Sequence, residues 1–115
     1  MLVGVPKEIK NHEYRVGLTP DSVQEFTAHG HRVMVETAAG GGIGCSDEEY
    51  RAAGAQVVDS PAEIFAKTEM IIKVKEPQAI ERKQLREGQI LFTYLHLAPD
   101  PDQTRDLVAD RKSVV

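Results

Sequence analysis

Apolar residues fall in short, nearly unbroken runs separated by polar stretches that open on helix-starting residues. Leu2-Val3-Gly4-Val5 is the first run, closed by Pro6, and reads as a buried strand followed by a turn. Residues 7–18 are polar and charged with no helical stripe, which predicts an ordered loop. Thr19 then supplies an N-cap, Pro20 the first helical position, Val23 and Phe26 an apolar face, and Gly30 a C-terminal stop. Arg32-Val33-Met34-Val35-Glu36 predicts a second strand and residues 38–44 a glycine-rich loop. Ser46 with Glu49 forms a capping box for a short helix ending at Gly54. Gln56-Val57-Val58 predicts a third strand, and Ser60, Pro61 and Glu63 repeat the helix-start signal. Residues 70–75 predict a fourth strand, ended by Glu76-Pro77 because the residue before proline is driven out of the helical region. A weak helical stretch over 78–85 leads through Gly88 to an apolar run, 89–95, that delivers His96. Asp100, Pro101 and Gln103 mark a last helix, and Ser113-Val114-Val115 begins another strand.

Strand and helix thus alternate from end to end, and the strands are continuous apolar runs rather than period-two alternations. Such strands are covered on both faces, which means a parallel sheet between helices. The expected fold class is α/β: a Rossmann-like (flavodoxin-like) parallel sheet with helices on both faces, apparently truncated because the sequence stops inside a strand.

Composition narrows the function. One hundred and fifteen residues make one domain, too short for a function that needs two large lobes. Apolar residues at 41% and charged residues at 28% place the chain in the globular range. A net charge of -4 offers no basic footprint for nucleic acid. Cys45 stands alone and no leader pattern opens the chain, so a reducing, cytoplasmic setting is expected. No apolar run is long enough to cross a bilayer, so no membrane role is expected.

In a parallel sheet all strand C-termini share one edge, where ligands of open α/β sheets bind. The loop after the first strand, the Lys75 end of the fourth and the His96 loop should converge there. Arg15 offers a planar fork for a carboxylate, Lys75 a compact charge for a single oxygen, and His96 a proton carrier near neutral pH. Together they suit a small keto or amino acid. Each has a plainer alternative. Arg15 could pair with Glu13 or Glu8. Lys73 and Lys75, two apart on a strand, could form an exposed basic edge, and His96 could pack against a backbone carbonyl. The glycine-rich loop fails the G-x-G-x-x-G test: from Gly40 and Gly42 the third position is Cys45, and from Gly42 and Gly44 it is Asp47, which would repel a phosphate. It reads as a tight structural loop. His29 and His31 straddle a helix end and a strand, with nothing to complete a zinc set, so no metal site is expected.

Four stretches together resemble alanine dehydrogenase in its N-terminal part: Gly4-Val5-Pro6-Lys7-Glu8, residues 13–20 (Glu13-Tyr14-Arg15-Val16-Gly17-Leu18-Thr19-Pro20), residues 71–77 (Ile71-Ile72-Lys73-Val74-Lys75-Glu76-Pro77) and Tyr94-Leu95-His96-Leu97-Ala98. The superfamily includes the NAD-binding component of nicotinamide nucleotide transhydrogenase, which typically lacks the lysine matching Lys75 and the histidine matching His96. The resemblance implies reversible, NAD-dependent oxidative deamination of L-alanine to pyruvate and ammonium. It implies that Arg15 grips the substrate carboxylate, Lys75 holds and polarises the keto oxygen, His96 gives and takes the proton, and Tyr94 lines the pocket. On this reading residues 1–115 are an incomplete substrate-binding and catalytic domain. NAD is then bound mainly by a C-terminal Rossmann domain absent from this chain, so no cofactor-binding residue is expected here. The family is usually oligomeric, often hexameric, so a homo-oligomer is expected, and the fragment alone is expected to be inactive. The rivals are a non-catalytic α/β module binding a small carboxylate or a protein, and the transhydrogenase component.

Overall fold

The computed structural model describes residues 1–93 and the strand Ser113–Val114. Tyr94, His96 and the helix expected from Asp100 lie outside the described residues. The sheet contains β1 (Leu2–Val5), β2 (Arg32–Glu36), β3 (Gln56–Val58), β4 (Met70–Ile72), β5 (Ile90–Phe92) and β6 (Ser113–Val114). All pairings are parallel and the strand order is β3-β2-β1-β4-β5-β6. Of the two doubly wound arrangements named from the sequence, this is the Rossmann order and not the flavodoxin one. The order reverses between β1 and β4, so the switch point that makes a crevice lies at the C-terminal ends of those two strands.

Helices α1 (Pro20–Ala28), α2 (Asp47–Ala52), α3 (Pro61–Lys67) and α4 (Ala79–Arg82) connect the strands. Their starts follow local chemistry. Thr19 and Ser60 each accept a backbone N–H and are followed by proline, and Ser46 with Glu49 closes a reciprocal capping box. Gly30 and Gly54, at φ of 86° and 105°, take the left-handed conformation just past α1 and α2.

Successive strand residues point to opposite faces and so feed two cores. Val3, Val5, Val33, Val35 and Ile72 join Val23 of α1 and Tyr50 of α2 on one face; Met34, Ile71 and Leu91 join Ile64 and Phe65 of α3 on the other. Fully burying side chains of this size contributes about 1.5–3 kcal/mol each. Gly4 faces α3, where an added Cβ would lie 2.5 Å from Ile64 Cγ2, so its lack of a side chain sets how closely α3 packs. Arg86 and Gln89 donate to the Phe65 and Thr68 carbonyls and so cap the end of α3.

One element is shorter than its sequence pattern predicts. The fourth strand ends at Ile72, not at Lys75. The Lys73 amide still donates to the Phe92 carbonyl at 3.1 Å, but the chain bends away at residues 74 and 75, so Lys73 and Lys75 do not share a strand face. Lys73 is buried and Lys75 half-buried, which removes the exposed basic edge.

Candidate functional site

The loop after β1 runs across the switch point. Its backbone is fixed by two close approaches that only glycine permits. A Cβ on Gly17 would lie 2.4 Å from the Ile72 carbonyl oxygen, and one on Gly42 would lie 2.2 Å from the Tyr14 carbonyl oxygen. The glycine-rich segment, part of it a 3-10 turn at Gly41–Ile43, is therefore the floor under Tyr14 and Arg15. Its own entry is held by Asp47, which accepts from the Thr37 hydroxyl at 2.6 Å and the Ala38 amide at 2.9 Å. Those two bonds hold the Asp47 carboxyl below the usual carboxylate range.

Between these loops lies a cleft of about 360 Å³ lined by Lys7, Glu8, Glu13, Tyr14, Arg15 and residues of the glycine-rich segment. Arg15 is largely exposed, and its Nε and Nη2 donate to the Glu13 carboxylate at 2.9 and 2.8 Å. The Arg15 amide donates to the same carboxylate at 2.8 Å. These bonds hold the Glu13 carboxyl down at about 2, with Lys75 adding a weaker pull in the same direction. Among the described residues, Glu13 thus takes one edge of the guanidinium and leaves the Nη1 edge facing elsewhere.

Behind the cleft is a buried ion cluster. Lys73 Nζ donates to Glu8 Oε1 at 2.8 Å and lies 3.4 Å from Glu81 Oε2, and each of these three side chains is at most 4% exposed. Glu8 also accepts the Val74 amide at 2.9 Å and the Lys75 amide at 3.2 Å. Its carboxylate therefore replaces, for the end of β4, the ladder partners that the strand has lost. Burial raises the Glu81 carboxyl above its ordinary range, opposed by the Lys73 ammonium.

The family profile described as "Alanine dehydrogenase/PNT, N-terminal domain" matches residues 4–115. The chain belongs to this family. Among curated relatives, the alanine dehydrogenase of Methanococcus maripaludis is 55% identical over 112 residues, covering 97% of this chain and 30% of its own length. That of Bacillus subtilis is 50% identical over 107 residues, 93% of this chain and 28% of its length. A solved L-alanine dehydrogenase superposes with a TM-score of 0.96 at 47% identity, covering all of this chain and 32% of that one. A transhydrogenase from Sinorhizobium meliloti gives 0.91 at 27%, over 99% and 34%. The chain thus spans about 30% of the length of the curated relatives it matches, and it resembles alanine dehydrogenase more closely than it resembles this transhydrogenase.

In this alanine dehydrogenase/PNT domain, Arg15 lines the cleft, while Lys75, on the turn after β4, is not among its lining residues but is tied through its amide to Glu8, which is. Arg15 also takes the plainer role foreseen for it, a pair with Glu13. Tyr94 and His96 fall outside the described residues. Neither Glu8 as the link between loops nor Thr93, whose hydroxyl donates to the Lys75 carbonyl at 3.0 Å, was legible in the sequence. The only signal was that Glu8 belongs to the same short block as the first strand. The start of α2 carries Asp47, Glu48 and Glu49, so an anion there would meet carboxylates. No helix among the described residues is long and apolar enough to cross a membrane.

Proposed function

We propose that this chain is the substrate-side domain of an NAD-dependent L-alanine dehydrogenase, which in its full-length form interconverts L-alanine and pyruvate with ammonium. The observation that carries the reading is the junction of the Arg15 loop and the Lys75 turn at the switch point, beside a cleft of small-molecule size. The Nη1 edge of Arg15 receives the substrate carboxylate while Glu13 holds the guanidinium in place. Lys75 directs its ammonium to the keto oxygen of pyruvate. His96 carries the proton and Tyr94 lines the pocket, both on the strength of the resemblance. NAD is held mainly by a further domain, on the strength of the resemblance. The working enzyme is a cytoplasmic homo-oligomer, and these 115 residues alone do not turn over.

The test is the intact mass of the protein from its source, together with an NAD reduction assay on L-alanine. A chain about three times longer, active and silenced by Lys75→Ala and His96→Ala, is the expected result. Activity in the 115-residue chain alone would overturn the two-domain part of the proposal. The competing transhydrogenase reading predicts no pyruvate binding, so a pyruvate titration separates the two.

A further inference from the structure

We propose that Thr93 and Glu8 are positioning residues for Lys75, clamping its peptide from both sides so that the ammonium is presented at a fixed point beside the cleft that Glu8, Glu13 and Arg15 line; this rests on the role of Lys75 proposed above. On the amide side, Glu8 Oε1 accepts the Lys75 N–H at 3.2 Å and Oε2 accepts the neighbouring Val74 N–H at 2.9 Å. On the carbonyl side, the Thr93 hydroxyl donates to the Lys75 oxygen at 3.0 Å, with the Val74 oxygen at 3.4 Å. Three strand ends are tied together in this way: the loop after β1 through Glu8, the turn after β4 through Lys75, and the end of β5 through Thr93. Lys10 adds an ion pair to Glu76, the residue after Lys75.

The chemistry of the clamp argues for a purpose beyond folding. An isolated buried carboxylate is costly, and this one has the Lys73 ammonium buried against it. An apolar pair of the same volume would serve the core as well or better. It could not, however, accept two successive peptide N–H groups where the strand has ended. The side chain that follows from the clamped peptide is Lys75, half-buried and electrostatically coupled to Glu13 in the cleft. Sites that must present a charge to within a fraction of an ångström depend on such second supports, and a misplacement of about 1 Å can cost about 100-fold in rate.

Thr93 gives the cleaner test, because it is only half-buried and Thr93→Val preserves its shape. In the full-length enzyme assayed with pyruvate, ammonium and NADH, Thr93→Val should lower kcat/KM for pyruvate about ten-fold, a partial form of that misplacement. The KM for NADH and the thermal midpoint should stay at their wild-type values, and Thr93→Ser should restore activity. Glu8→Gln, which retains an accepting oxygen but loses its ion pair with Lys73, should show the same selectivity for pyruvate. Wild-type kcat/KM for pyruvate in Thr93→Val, or a loss that Thr93→Ser fails to rescue, overturns the clamp. Lys75→Ala is the control on the underlying reading. If it abolishes pyruvate turnover while Thr93→Val changes nothing, the clamp alone falls. If Lys75→Ala is itself active, the assigned site falls and the clamp with it.

Discussion

Replacing Lys73 by methionine should damage this fold far more than the same change at Lys67, although both lysines pair with glutamates. Lys67 and Glu63 are 3.3 Å apart on α3 with side chains 58% and 36% exposed. A pair of that kind contributes about 0.3–0.5 kcal/mol. Lys73 and Glu8 are 2.8 Å apart with both side chains 1% exposed, and Glu81 faces the same ammonium. Methionine fills the space of the lysine stem but leaves two buried carboxylates without a cation. Breaking one member of such a cluster costs about 3–5 kcal/mol, a large share of the roughly 5–15 kcal/mol available to a domain. With a urea m-value of about 2 kcal/mol/M, the unfolding midpoint should move down by about 2 M. The penalty should shrink at acidic pH, where Glu81, whose carboxyl burial already raises, escapes by taking up a proton. Glu8→Gln combined with Lys73→Met should recover part of the loss, because one orphaned charge is gone. Urea unfolding followed by far-ultraviolet circular dichroism at neutral and acidic pH measures all of this. A Lys73→Met cost below about 1 kcal/mol at neutral pH, or one equal to that of Lys67→Met, would refute the assignment of this cluster as a buried, mutually compensated unit.

Three further outcomes follow from contacts already described. Gly42→Ala should cost about 1–3 kcal/mol by overpacking against the Tyr14 carbonyl, whereas Gly41→Ala, which meets open space, should be neutral in the same urea titration. Glu13→Gln should raise the KM for pyruvate about 2- to 5-fold with little change in kcat, since the Arg15 fork loses its charged anchor; a lower KM would mean that Glu13 competes with the substrate. Because burial raises the Glu81 carboxyl, the folded chain binds more protons than the unfolded one between pH 4.5 and that raised value. Stability should therefore fall as pH rises through this window, and Glu81→Gln should remove that share of the slope when melting is recorded at several pH values.

What the sequence made legible was what depends on near neighbours. The Thr19-Pro20, Ser46-Glu49 and Ser60-Pro61 helix starts all formed as their residue types require. So did the parallel sheet, because doubly buried strands leave an unbroken apolar trace. The fourth strand was read too long because Ile71-Ile72-Lys73-Val74-Lys75 keeps a strand-like composition. Its real end is decided by Glu8, 65 residues away from Lys73, whose carboxylate captures the amides of residues 74 and 75. No local pattern encodes that contact. The spacing of the glycine-rich loop separates it from a nucleotide fingerprint, but its close neighbour, the Tyr14 carbonyl, is invisible until the chain folds. Arg15 and Lys75 were legible as candidates because strand ends gather at one edge, and Glu13 as a partner for Arg15, while the contacts of Glu8 and Thr93 with the Lys75 backbone were not.

The position of β1 also bears on how the chain is made. Of the described strands it is synthesised first, yet it lies inside the sheet, with β2 on one side and β4 on the other. A nascent three-stranded half, β3-β2-β1, can form once Val58 has emerged, but the far edge of β1 stays unpaired until Met70 and Ile71 arrive to meet Val3 and Gly4. At roughly 5–20 residues per second that interval lasts on the order of a second, during which an apolar edge is open to other nascent chains. The same delay applies to Lys73, so Glu8 waits in water, solvated and harmless, until its cation is translated.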